Sequence, residues 1–488
     1  MTAPSNLVIF LTDNHTRAFL GAAGHPTIKT PHLDSIAENG VRFSNAYCVS
    51  PLCCPSRAAI ATGRYPHETG YWDNALAYDG RIPSWHKRIR DQGHMVASVG
   101  KLHYRSPRND NGFSEEIIPL HIVEEKGALV GLLRATPEGM PQRSGHKKIY
   151  ENSGVGEADY QIYDRDITSH AINWLERNGT TQDKPWVLLI SYASPHPPFY
   201  VPEKYWNSYS LDEVPMPVQW RRDERPDHPA TRYLAWMNKF EENLDEDFVR
   251  RVVAGYCGLI SMIDDQVGEV MGAMDRLGLM EKTRIIYTSD HGEAAGHHGI
   301  FGKANHYEHA LGVPFLMSGP GIPGNKVVDQ ITSHVDLFPT IVETVGAELA
   351  QEDQTLPGRS LWPAIAGNEE ETIAFAEFHA MGARNAGFAL RKGEHKLIYH
   401  VGMPRQLFNL ESDPLEERDL ILSSDAESIA DALEAELRTI VDPEAVDAQA
   451  KSDQLEHANK YGGVDEVRKA GVFSASPIPG KKARIETI

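Results

Sequence analysis

The chain reads as an α/β protein: a large, mostly parallel sheet flanked by helices, followed by a smaller α+β unit with an antiparallel sheet. Three observations predict this. Short, predominantly apolar runs such as residues 7–11 and 186–192 have the character of strands buried in a parallel sheet. Segments of helical periodicity alternate with these runs as far as about residue 370. Ionisable residues follow directly on four predicted strands: Asp13, Lys101, His196 and Asp290. The carboxyl edge of an open α/β sheet is where ligands bind, so four distant stretches deliver chemistry to one rim.

In chain order, residues 7–11 form the first strand, ending in Thr12-Asp13-Asn14-His15. Thr30-Pro31 opens a helix, with Thr30 as N-cap, Leu33, Ile36 and Ala37 as its buried stripe and Gly40 as its stop. Residues 41–46 predict a second strand, 84–92 a helix closed by Gly93, and 95–99 a strand ending at Gly100-Lys101. A helix over 166–178 precedes the strand 186–192, which runs into Ser194-Pro195-His196. A long helical stretch, 248–279, precedes the strand 284–288 and Ser289-Asp290-His291. A strand at 313–317 and a helix at 337–345 continue the alternation. Beyond residue 370 the pattern changes to strands at 373–378, 387–391 and 396–400, the last two joined by a hairpin turn at Lys392-Gly393-Glu394-His395. Residues 425–441 form an amphipathic helix with Ile429, Leu433 and Leu437 on one side. The expected division is 1–370, 371–441 and a polar, extended tail, 442–488, that wraps another surface. Because that tail has little core of its own, a homo-oligomer is expected.

Composition narrows the function. Of 488 residues 41% are hydrophobic, enough for a sizeable core without disulfide staples. A net charge of -20 argues against a nucleic-acid partner and against a basic membrane-surface protein. Four cysteines without a CxxC pair are neither a disulfide framework nor a thiolate zinc site. The apolar run at 7–11 is too short for a signal peptide or membrane span, so the cytoplasm is the expected location.

The strongest local motif is Cys53-Cys54-Pro55-Ser56-Arg57, continuing to Thr62-Gly63-Arg64. Taken alone, Cys53 is a structural cysteine beside a proline turn or a thiol nucleophile. The motif resembles the C-x-P-S-R…T-G-R signature of type I sulfatases, members of the alkaline phosphatase-like superfamily. There the first cysteine is oxidised to formylglycine, which implies a formylglycine-generating maturation enzyme as a partner. Asp13-Asn14 and Asp290-His291 offer carboxylate, amide and imidazole donors for one divalent cation, completed by residue 53. Ca²⁺ is favoured, with Mn²⁺ or Mg²⁺ open. Asn14 stands where the family usually has a second Asp.

Gly100-Lys101-Leu102-His103 looks like the family's G-K-x-H element, and His196-Pro197-Pro198 resembles the segment holding a catalytic histidine. Lys303 follows Asp290-His291-Gly292 as in the family's D-H-G…K arrangement. Singly, these lysines read as surface residues and His196 as a loop histidine. Asn74 is a candidate hydrogen-bond donor to sulfate, with a turn role as the equal alternative. The resemblance assigns Arg57, Lys101 and Lys303 to charge neutralisation, and a formylglycine hydroxyl to attack on sulfur. It makes His196 and Lys303 the proton donors to the departing alcohol, and His103 the acceptor of the proton as sulfate leaves. It covers residue 6 to about 422 and lies nearest the choline-sulfatase-like branch. The tail departs from that branch, with Tyr461 and Phe473 its only aromatics after Phe408.

The expected activity is sulfuric ester hydrolysis of a small organic or sugar sulfate. A phosphonate monoester hydrolase or phosphodiesterase of the same superfamily is the alternative, disfavoured by Lys101 and His103. A catalytically silent binding protein is the third reading. Gly319-Pro320-Gly321-Ile322-Pro323-Gly324 is read as a turn rather than a nucleotide loop, and His297, His298, His306 and His309 as polar loop residues, some of them at the pocket mouth.

Overall fold

Side-chain alternation along Asn6–Asp13 (β1) places Leu7, Ile9 and Leu11 in one apolar core and Val8 and Phe10 in another. The strand is therefore buried on both faces, as its unbroken apolar run requires. The computed structural model describes residues 3–136, 138–423, 426–473 and 475–485. β1 lies within an eight-stranded sheet with Gly40–Phe43 (β2), Val96–Lys101 (β3), Glu115–Leu120 (β4), Val187–Pro195 (β5), Thr283–Ser289 (β6), Phe315–Ser318 (β7) and Lys326–Val328 (β8). The order is β8-β2-β7-β6-β1-β5-β3-β4. Every pairing is parallel except those of β7, which runs antiparallel to β2 and β6. The neighbours β6, β1, β5 and β3 bring Asp290, Asp13, His196 and Lys101 to one edge.

The strand expected over 41–46 is shorter: β2 stops at Phe43, and Ala46–Tyr47 pairs instead with Thr332–Ser333. In β3, Gly100 has a φ of 101°, and a Cβ there would lie 2.2 Å from the Ser191 carbonyl of β5. The register against β4 shifts between Val99 and Lys101, a bulge that only glycine permits at this spacing.

Helices pack on both faces of the sheet: Pro31–Glu38 (α1), Cys53–Thr62 (α2), Trp85–Asp91 (α3), Asp159–Asn178 (α4), Glu246–Arg276 (α5) and Leu337–Val345 (α6). α4 begins at Asp159 rather than 166, because the Gln161 side chain accepts the Ala158 N–H at 2.7 Å and closes an earlier first turn. Thr30 occupies the N-cap position of α1, but its hydroxyl accepts from Gly21 N (2.9 Å) and donates to Asp34 (3.0 Å). The capping acceptor is Asp264 of α5, which takes the N–H groups of His32 and Leu33 at 3.2 and 2.8 Å.

Burial pushes the Asp264 carboxyl up to about 7, against the pull of those two N–H donors. An unfolded Asp titrates near ~4, so between the two values the folded chain binds more protons than the unfolded chain. Stability from this group is thus present below about pH 4 and lost as pH rises towards 7. Asp264→Asn, which cannot titrate, should flatten the fall of Tm between pH 5 and 8; an unchanged Tm–pH curve would refute the assignment.

The second sheet is an antiparallel meander of Ile373–Phe378 (β9), Gly387–Lys392 (β10), His395–His400 (β11) and Gln406–Asn409 (β12). Ala430, Leu433 and Leu437 of Ala426–Ile440 (α7) pack on its Phe388, Leu390, Leu397 and Leu407. The expected helix start, Asp425, lies outside the described residues. The expected extended tail is instead helical: Pro443–Lys460 (α8) and Val464–Lys469 (α9). α8 hides from periodicity because its docking contacts are polar. Arg134 bonds Asp447 (2.8 Å) and Gln454 (3.2 Å), and Gln454 bonds Asp73 and the His379 carbonyl, both at 2.8 Å. The tail thus covers its own chain, which removes the reason for expecting an oligomer. No helix among the described residues is long and apolar enough to cross a membrane.

Candidate active site

Cys53 is the first residue of α2, a helix whose ten residues are all buried. Leu52 enters in extended conformation, Pro55 lies in the first turn where no N–H partner is needed, and Gly63, at a φ of 66°, closes the helix in left-handed conformation. Ser56 donates to the Asp290 carbonyl at 2.5 Å. Arg57, 2% exposed, reaches residues on or directly after four strands at once. It donates to Asp290 Oδ2 (2.8 Å), the Lys101 carbonyl (2.6 Å) and Ser191 Oγ (2.9 Å), and its Nη2 lies 3.6 Å from Asp13 Oδ2. It does not line the cleft. Arg57, expected to neutralise charge, thus does so against the Asp290 and Asp13 carboxylates from outside the cleft lining.

Ligand atoms of Asp13, Cys53, Asp290 and His291 all lie within 4.8 Å of one another. Cys53 Sγ is 3.3 Å from His291 Nε2 and 3.8 Å from Asp13 Oδ1. His291 Nδ1 lies 3.0 Å from the Gly292 carbonyl, to which it donates, leaving the Nε2 lone pair directed at the group. Asn14 adopts a φ of 77°, a left-handed conformation that Asn tolerates, and this turns the chain at the end of β1. Its Oδ1 accepts from Lys303 Nζ at 2.8 Å.

Two carboxylates and an imidazole lone pair gathered in a buried group, with the Asn14 amide oxygen on the adjoining Lys303, fit a hard divalent cation. Burial and then the neighbouring Asp13 charge push Asp290 up to about 7, against the pull of Arg57. Burial would also raise Asp13, but Lys101 and then Lys303 hold it well below its ordinary value. Lys101 Nζ lies 2.5 Å from Asp13 Oδ2, and Lys303 Nζ lies 3.6 Å from Asp13 Oδ1 and 3.1 Å from Cys53 Sγ.

One cleft is lined by Asn14, Cys53, Asn74, Lys101, His103, His196 and Lys303 together. Asn74 also serves the fold: its Oδ1 accepts the Cys54 N–H at 3.1 Å and steadies the first turn of α2. His196 donates from Nδ1 to the Pro197 carbonyl at 2.7 Å. Burial, reinforced by the lysines, holds His103 and His196 well below the usual imidazole range, so both are neutral.

The walls include residues that no motif announced: Arg143, His146, Tyr150, Tyr160, Phe473 and Ser476. Ser476 Oγ lies 2.7 Å from His103 Nε2, and the Ser476 carbonyl accepts from Tyr160 at 2.8 Å. The histidines expected at the pocket mouth are elsewhere: His298, His306 and His309 are buried, and His297 stacks on His309 with ring centroids 3.5 Å apart.

A sulfatase family model matches residues 5–347. The chain belongs to the sulfatase family. A second model, described as N-sulphoglucosamine sulphohydrolase, C-terminal, matches residues 296–442. This sulfatase is 30% identical over 427 residues to a choline-sulfatase of Rhizobium meliloti (strain 1021), spanning 86% of this chain and 83% of the relative. It is 28% identical over 481 residues to arylsulfatase K of Bos taurus, spanning 93% and 85%. Among solved structures, phosphonate monoester hydrolase of Agrobacterium radiobacter superposes with a TM-score of 0.71 at 23% identity, covering 91% of this chain and 96% of that one. A protein solved with its substrate D-glucosamine-2-N,6-O-disulfate superposes at 0.72 with 21% identity, covering 92% and 99%. At these identities the structural likeness establishes the sulfatase's fold, and the family rests on the sequence matches.

Proposed function

We propose that this sulfatase hydrolyses a sulfate ester of a small organic or sugar alcohol, using formylglycine at position 53 and one divalent cation held by Asp13, Asn14, Asp290 and His291. The observation that carries the reading is the placement of Cys53 in one 4.8 Å group with two carboxylates and a histidine, flanked by Lys101 and Lys303. The predominance of oxygen donors favours Ca²⁺. Bound there, the cation would neutralise ester charge and polarise oxygen on residue 53. As a hydrated aldehyde, residue 53 offers one hydroxyl to attack sulfur and a second whose deprotonation expels sulfate. Conversion of Cys53 needs a maturation enzyme as partner.

The remaining steps belong to the chain's other side chains. Lys303, beside Sγ, carries a proton that it can pass to the departing alcohol oxygen. His196 engages its N–H with Pro197 and, while neutral, presents an acceptor to the cleft, so Lys303 is the principal donor. His103 is neutral, and its Nδ1 is buried without a hydrogen-bond partner among the described residues, suiting it to take the proton as sulfate leaves. Burial and the Asp13 charge push the Cys53 thiol up to about 11, which speaks against an unmodified thiolate nucleophile. The sulfated substrates named for relatives and structural neighbours support an ester of this class.

Two measurements, made together on protein from a host with the maturation enzyme, test this reading. The peptide spanning residues 50–57 should have lost the Cys53 sulfur, and p-nitrophenyl sulfate should be turned over faster than a phenyl phosphonate monoester. Faster turnover of the phosphonate would transfer the site to the alternative activity.

A further inference from the structure

We propose that Glu293 is a positioning residue that holds the Asn14 carboxamide with its oxygen towards the cation site. The inference rests on the cation reading above. Glu293 is 0% exposed and stands behind Asn14, outside the cleft lining. Its Oε2 accepts from Asn14 Nδ2 at 2.6 Å and from the Tyr150 hydroxyl at 3.2 Å. Its Oε1 accepts the backbone N–H groups of Ala295 at 3.0 Å and Gly302 at 2.5 Å. Four donors thus converge on two oxygens.

This arrangement decides a choice that Asn14 cannot make alone. A carboxamide rotated by half a turn exchanges an acceptor for a donor at nearly the same positions. Two backbone N–H groups occupy Glu293 Oε1, and Oε2 meets Asn14 as an acceptor, which requires the NH₂ on that side. Lys303 Nζ, 2.8 Å from Oδ1 on the other side, only donates and requires the oxygen there. The two constraints agree, and the carboxamide oxygen faces Lys303 Nζ, which itself lies 3.1 Å from Cys53 Sγ and 3.6 Å from Asp13 Oδ1. Glu293 also holds the backbone of Gly302, next to Lys303, so one buried carboxylate sets both a cation ligand and the loop that carries an ammonium. Partners behind a ligand commonly alter metal affinity by about 10–100-fold.

Glu293→Gln is nearly isosteric and tests the idea. The two backbone N–H groups would keep the oxygen of the new carboxamide, leaving its NH₂ against the Asn14 NH₂ and the Tyr150 hydroxyl. Relief comes when Asn14 turns and presents its NH₂ to the cation. In cation-stripped full-length protein, Ca²⁺ and Mn²⁺ affinities read by competition with a chromophoric chelator should therefore fall about 10–100-fold. The double substitution Asn14→Asp with Glu293→Gln should restore affinity to within a few-fold. The carboxylate introduced at position 14 can accept from the NH₂ introduced at position 293 and still offer oxygen to the cation, moving the charge from one position to the other. Unchanged affinity in Glu293→Gln overturns the inference. So does a loss that the double substitution fails to recover, because that would report general damage rather than amide orientation. If the unsubstituted enzyme binds neither cation, both this inference and the cation reading fail. If it binds and Glu293→Gln binds equally well, this inference alone fails.

Discussion

Cys53→Ala should reduce turnover of p-nitrophenyl sulfate by about 10⁴-fold or more, because alanine has no thiol to be oxidised to the aldehyde whose hydrate supplies the attacking hydroxyl. Cys53 is 2% exposed and small, so the substitution should leave the circular dichroism spectrum unchanged and Tm within a few degrees. Activity within tenfold of the parent would exclude a nucleophile at this position. A thiol-nucleophile hydrolase would also lose activity here, so a second sample separates the two. Protein made without the maturation enzyme keeps an intact Cys53 and should be inactive, whereas a thiol enzyme made that way would be fully active. The raised thiol pKa and the group crowding Sγ both favour inactivity.

Lys303→Ala should have the second largest effect, and that effect should depend on the leaving group. An alkyl or sugar alcohol leaves poorly as an alkoxide, so loss of its proton donor should slow such esters by about 10²–10⁴-fold. A nitrophenolate leaves readily without protonation and should be slowed far less. The expected signature is a steeper dependence of kcat on leaving-group pKa in the variant. Equal slowing across the series would remove the acid role and leave Lys303 as an electrostatic partner of Asn14 and Asp13.

Local signals in the chain were strong where a single segment meets a uniform environment. The strands β1 and β5 are buried on both faces, so an apolar run marks them whatever their neighbours. α6, Leu337–Val345, has the bounds that its apolar periodicity predicts. The signal failed where environment changes within a segment or where the buried face is polar. The stretch 41–46 divides because its two halves pair with different strands. α8 carries Asp447 and Gln454 on its docking face, and those side chains are satisfied inside only through Arg134, Asp73 and the backbone they meet there.

The candidate site divides in the same way. Asp13, Cys53, Lys101, His196, Asp290 and Lys303 each sit in a short motif or at a strand end, so residue order alone marks them out. Arg57 belongs to the strongest motif, yet its position outside the cleft lining depends on residues on or directly after four strands. Ser476 meets His103 across 373 residues of chain, and Glu293 meets Asn14 across 279. Neither lies in a pattern that sets it apart from other polar residues.

By itself, then, the sequence determined the fold class, the rim on which ionisable groups gather and membership of the sulfatase family. These are written in local periodicity and in motifs a few residues long. Tertiary structure alone decided which cationic side chain faces the cleft, which Asn14 amide atom meets Lys303 and which part of the tail lines the cleft. Each of those depends on contacts between segments hundreds of residues apart, and hydrogen-bond direction and charge pairing exist only once the segments have met.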